Sequence, residues 1–163
     1  MSRSGYSEDC DGWALIRWRG AVTQAIRGKR GQAMLRELLT ALDAMPDKRL
    51  VADSLVSPEG EFCTLGALGR LRGVNMESID VEDRQAVARA FDVAEALAAE
   101  VMYLNDEAVV DDWTYLNFEV FGPVRPWERH VQLRRVPNER SAQLRWVYMR
   151  KWVANQLIPP VQP

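Results

Sequence analysis

The sequence predicts an α+β fold, a mostly helical bundle of about five helices with two β-hairpins, in a single domain over residues 1–163. Three observations predict it. Apolar residues recur at intervals of three and four in several runs. Two stretches, 48–64 and 109–137, change instead to short alternating runs around Pro and Gly. The 47% hydrophobic and 27% charged composition is that of an ordinary globular chain, which suggests neither a disordered nor a membrane class.

The first helix is read from Leu15, Trp18, Val22, Ala25 and Ile26, which share one face between about Trp13 and Arg27 before Gly28 breaks the pattern. Met34, Leu35, Leu38, Leu39, Leu42 and Met45 form a second stripe that Pro46 must end. Gly28 and Gly31 bracket a basic turn, which pairs the two helices as an antiparallel hairpin. Leu50-Val51 and Phe62-Cys63-Thr64 around Ser57-Pro58-Glu59-Gly60 read as the first β-hairpin. Leu65–Leu71 reads as one short helix interrupted by Gly66 and Gly69. Asp80 is the expected N-cap of a helix running through Phe91, and Ala94–Leu104 is the next, with Leu97, Val101 and Leu104 inward. Residues 109–137 then read as a hairpin insertion, in which Leu116, Phe118 and Val120 alternate with Asn117, Glu119 and Phe121. The last helix, about Ser141 to Leu157, shows two apolar stripes: Trp146, Met149, Val153 and Leu157 on one side, Leu144, Val147 and Tyr148 on the other.

The charge order is basic, acidic, basic. Gly12 to Arg36 holds six cations and no acid, Val74 to Asp112 eleven acids against Arg84 and Arg89, and Arg125 to Lys151 eight cations against Glu128 and Glu139. Internal neutralisation is the plainer reading and a charged partner the alternative. The first dozen residues carry Glu8, Asp9 and Asp11 and no apolar run, so no secretory signal is expected. No stretch approaches the ~20 apolar residues that cross a bilayer. Cys10 and Cys63 make no disulfide framework, and the expected location is the cytoplasm.

Candidate chemistry is sparse. Arg84 to Leu104 has helix-turn-helix spacing, but its second helix carries acids that phosphates would repel, so packed helices are expected instead. Arg27, Lys29 and Arg30, at the start of a helix, are the anion or nucleic-acid candidates. Cys63 is a nucleophile candidate only if the single histidine, His130, is brought to it, and a packed thiol is the plainer reading. One histidine and two distant cysteines do not make a zinc site, and neither metal nor cofactor is expected. Six tryptophans are many for 163 residues, and Trp13, Trp113, Trp127 and Trp152 fall off the core stripes drawn above. Trp113, Phe121, Arg125, Trp127 and Arg129 from the late hairpin, with Trp152 from the last helix, are therefore expected to form an exposed partner-binding surface.

The strings Trp13-Ala-Leu-Ile-Arg-Trp-Arg-Gly-Ala-Val, Ile26-Arg-Gly-Lys-Arg-Gly-Gln, Cys63-Thr-Leu-Gly-Ala-Leu-Gly, Leu104-Asn-Asp-Glu and Arg145-Trp to Met149-Arg-Lys-Trp-Val resemble a family of small hypothetical proteins of tailed phages and prophages. The likeness covers Ser2 to about Glu107 and Ser141 to Leu157, and the stretch from Val109 to Pro137 departs from it. No activity comes with the family. The resemblance implies a non-enzymatic accessory protein, in the host cytoplasm, that binds a host or phage protein, with counter-defence inhibition among its roles. Self-association is a further expectation, and a nucleic-acid binder using the first helix, the Lys29-Arg30 turn and the C-terminal arginines is the alternative. A cysteine-dependent enzyme on Cys63 comes third.

Overall fold

In the computed structural model, residues 3–7, 11–109, 112–115, 120–125, 127, 130–135 and 138–159 are described, with backbone alone at 112–115, 130–135 and 138–139. Six α-helices build the body among these residues: α1 (Gly12–Arg27), α2 (Lys29–Ala44), α3 (Thr64–Arg72), α4 (Arg84–Ala90), α5 (Glu95–Glu107) and α6 (Asn138–Gln156). The expected α+β class is thereby overturned. The first hairpin reduces to a single bridge, Val56 to Phe62, because the turn closed by Ser57 and Gly60 leads straight into the N-cap of α3. In the late segment, Asp112–Tyr115 and His130–Arg135 pair with each other as one two-stranded antiparallel ribbon. The architecture is all-helical.

Local chemistry explains the helix boundaries. Asp11 caps α1 by accepting a 2.6 Å bond from the Ala14 N–H. Gly28 alone separates α1 from α2, so Gly31 is not part of a turn but lies buried in the first turn of α2. A Cβ there would sit 1.9 Å from the Ala25 carbonyl oxygen, so only glycine allows the two helices to meet so closely. Gly66 plays the same part in α3, where a Cβ would lie 2.0 Å from the Leu55 oxygen. The glycines that weaken α3 in a propensity reading are what let it pack. Asp83, not Asp80, caps α4, accepting from the Gln85 and Ala86 N–H groups; Asp80 closes the preceding turn by accepting from Glu82.

The core is one cluster fed by every helix, with α5 at its centre, in contact with α1, α3, α4 and α6. Ten consecutive residues of α5, Leu97 to Asp106, are buried. A surface helix buries one stripe; this one is enclosed on all sides. No helix among the described residues is long and apolar enough to cross a membrane.

Candidate functional site

The late segment is anchored to the bundle before it reaches its exposed tip. Gly122, at φ 78°, lies close enough to α1 that a Cβ would be 3.0 Å from the Trp18 ring, so glycine is required both by conformation and by space. Its N–H donates a 2.9 Å bond to Glu100 Oε2, and Arg19 of α1 donates a 3.1 Å bond to the Pro123 carbonyl. Gly122, Pro123 and Val124 are buried, Phe121 and Arg125 partly so, and Trp127 is 78% exposed. The Arg125 guanidinium lies 5.9 Å from the centre of the Trp127 ring, a cation–π distance. An anchored stem thus leads to a half-buried Arg125 beside an exposed Trp127.

Of the surface expected from sequence, Trp127 is exposed and Arg125 half-buried beside it, whereas Trp152 is buried. Trp152 is 1% exposed and among the largest fully buried side chains. The buried stripe of α6 is Ser141, Arg145, Tyr148, Met149, Trp152 and Val153, rotated from the one drawn on Trp146. Trp146 lies at its margin, where its indole N–H bonds the Leu42 carbonyl at 3.1 Å and Lys48 and Arg150 flank its ring. Phe121 packs against the core and is no free anchor. The side chains of Trp113 and Arg129 lie outside the described residues.

Beneath the stem is a polar interior that sequence reasoning missed. Glu100, fully buried in α5, accepts from the Tyr6 hydroxyl at 2.5 Å and from Gly122 N–H, both on Oε2, while its Oε1 has no hydrogen-bond partner among the described residues. Burial raises its pKa to about 7, opposed by those two hydrogen bonds and by the charge of Arg19. Tyr6 is pushed well above the usual phenol range by burial and then by the Glu100 charge. One and a half turns on, Asp106 takes a bidentate pair from Arg3 at 2.6 and 3.0 Å. Burial acts to lower the Arg3 pKa, but its bonds to Asp106 and its proximity to Cys63 leave it raised. Asn105 accepts from Thr64 N–H and hydroxyl and donates to the Val51 carbonyl and to Asp106. Arg145 crosses from α6 to donate to the Asn105, Leu50 and Val109 carbonyls. Residues 3–7 are therefore a strap clasped at both ends by acids of the central helix. The signal for Glu100 was present: it lies three residues after Leu97 and four before Leu104, on the inward face.

Cys63 is 1% exposed, and its Sγ accepts from Gly66 N–H at 3.3 Å as the N-cap of α3, a structural post closed to substrates. The His130 side chain lies outside the described residues. The anion candidates divide: Arg30 bonds Asp92 at the α4–α5 junction, while Arg27 and Lys29 are exposed without an ion pair among the described residues. Two of the C-terminal arginines are also committed, Arg145 to carbonyls and Arg150 to Asp43 at 2.6 Å. Arg84 likewise pairs with Glu95 and Arg72 with Glu37, and of these pairs Arg30–Asp92 is the one that joins the first basic block to the acidic one. The helix-turn-helix spacing resolves into α4 packed on α5, whose burial leaves no face for a groove. A groove of about 530 Å³ runs between the end of α2, the 46–62 loop and α3, lined by Met45, Phe62, Ala67, Leu71, Arg49 and Arg70; Cys63 is not among its lining residues. No metal-binding group of three or more His, Cys, Asp or Glu occurs among the described residues.

No family model matches the chain, and neither a curated protein nor a solved structure does.

Proposed function

We propose that this is a non-enzymatic binding protein that works by protein contact through the Arg125–Trp127 tip, as a phage accessory factor that engages host machinery and inhibits a component of its defence. The observation that carries the reading is the 78% exposed Trp127 under Arg125, on a stem fixed by the Glu100–Gly122 and Arg19–Pro123 bonds. Trp and Arg are the residues that most often dominate binding energy, and a rigid stem lowers the ordering cost of presenting them. The resemblance to small phage proteins supports the biological setting. Burial of Cys63 supports the absence of thiol catalysis.

The test is affinity capture from host lysate, with and without nuclease, using the wild type and Trp127→Ala. The reading expects a protein partner that survives nuclease and is lost with Trp127→Ala, whose melting temperature stays within a few degrees, since truncating a hot spot costs ~2 kcal/mol or more of binding, roughly thirtyfold. Capture that Trp127→Ala leaves intact, or that nuclease abolishes, would refute it.

A further inference from the structure

We propose that the outer face of α1 is a second docking surface, and that its occupant is an acidic amphipathic helix of a protein partner. Three independent features meet on this face. Trp13 and Ile16 are 75% and 62% exposed, the two most exposed large apolar residues of the helix. Arg17 and Arg27, with Lys29 just beyond, are exposed and without an ion pair among the described residues, and α1 contains no acid. Gly20 lies between them in mid-helix, exposed, with nothing within 4 Å of where a Cβ would stand.

The spacing places them together. Trp13, Ile16, Arg17, Gly20, Gln24 and Arg27 recur at three and four residues opposite the buried stripe of Leu15, Val22 and Ile26, along roughly 20 Å of helix. Glycine is the poorest helix former after proline, and nothing among the described residues requires it at position 20. A partner backbone laid across α1 does require it, because a small residue at the crossing is what lets two helices approach closely. Trp13 and Ile16 supply the apolar anchor on one side of that crossing, and Arg17, Arg27 and Lys29 the charge. A partner helix matching them carries an apolar stripe flanked by carboxylates. Nucleic acid fits less well: three free cations neutralise few phosphates, and Ile16 has no role against a phosphate backbone.

The proposal is independent of the Trp127 tip, and the experiment keeps the two apart. The probes are a labelled helical peptide of about four turns with a Leu/Phe stripe and Glu flanks, the same stripe with Lys flanks, and a single-stranded and a duplex oligonucleotide, each titrated into the full chain. The Glu-flanked peptide should bind, and Ile16→Glu should weaken it about tenfold or more with little change in melting temperature. Arg17→Glu with Arg27→Glu should reverse the preference toward the Lys-flanked peptide. Gly20→Leu should raise the melting temperature, as a better helix former, while blocking the peptide. Trp127→Ala should leave peptide binding unchanged. No binding of the Glu-flanked peptide, equal binding of both peptides, indifference to Gly20→Leu, or displacement by either oligonucleotide would overturn the proposal.

Discussion

Helices α5 and α1 are of similar length and treat their polar and apolar residues in opposite ways. In α5, ten consecutive residues are buried, and three of them, Glu100, Asn105 and Asp106, are polar. In α1 only Leu15, Val22 and Ile26 are buried, while Trp13 and Ile16 face solvent. The buried acids of α5 have dedicated donors from segments far away in sequence, so they determine where the strap and the late stem go. Trp13 and Ile16 of α1 are exposed instead and position no other segment among the described residues. Polarity inside orients the segments of this fold, and the apolar residues outside are those on which the proposed docking face rests.

The largest expected effect comes from breaking a pair in the centre. Asp106→Ala leaves the Arg3 guanidinium buried without its carboxylate and should cost about 3–5 kcal/mol in urea denaturation. Adding Arg3→Met to that variant should recover much of the loss, because an apolar strap no longer strands a charge. A loss below about 1 kcal/mol would mean that the strap is not clasped as described.

The next effect depends on pH. The folded Glu100 has a pKa of about 7 against a usual 4.5, so between those values the folded state holds a proton that the unfolded state has lost. Stability should therefore fall as pH rises through this window and level off above it, a total of about 3 kcal/mol for this group. Glu100→Gln should flatten the fall, and near pH 8 the variant should be the more stable protein. Identical pH profiles for the two proteins would show that the carboxyl is hydrated.

Cys63 is a smaller case. Cys63→Ala removes the cap of α3 and should cost about 1 kcal/mol, whereas Cys63→Ser keeps an acceptor at that position and should cost less. The native thiol should resist alkylation until the protein unfolds; rapid labelling would show an exposed cysteine. Smallest of all, Trp13→Ala and Ile16→Ala should each change stability by no more than about 0.5 kcal/mol. A larger loss would mean that the outer face of α1 is packed, and the contrast with α5 would collapse.

Most helices were legible because their stripes were long: α1, α2 and α5 begin and end within a few residues of where periodicity places them. Boundaries set by one side chain were less so. Asp80 and Asp83 are equally good caps in isolation, and only the N–H groups that Asp83 meets decide between them. Trp146 and Trp152 both suit an apolar stripe, and α6 turned the second inward because Arg145, on the same face, reaches three carbonyls there. The first hairpin failed because Val56 and Phe62 pair over one step only before α3 begins.

The sequence by itself determined which segments are helical, where glycine and proline interrupt them, and that Trp13 and Trp127 have no place on a core stripe, since these follow from spacing and side-chain chemistry along a few turns. Only the tertiary structure decided that Asp106 lies inside, that Arg3 and Tyr6 reach Asp106 and Glu100 across about a hundred residues of chain, and that Arg30, Arg145 and Arg150 are already engaged. The reason is physical. A buried charge is tolerable only when a specific partner arrives from elsewhere in the fold, and nothing in the local pattern of either residue records that meeting.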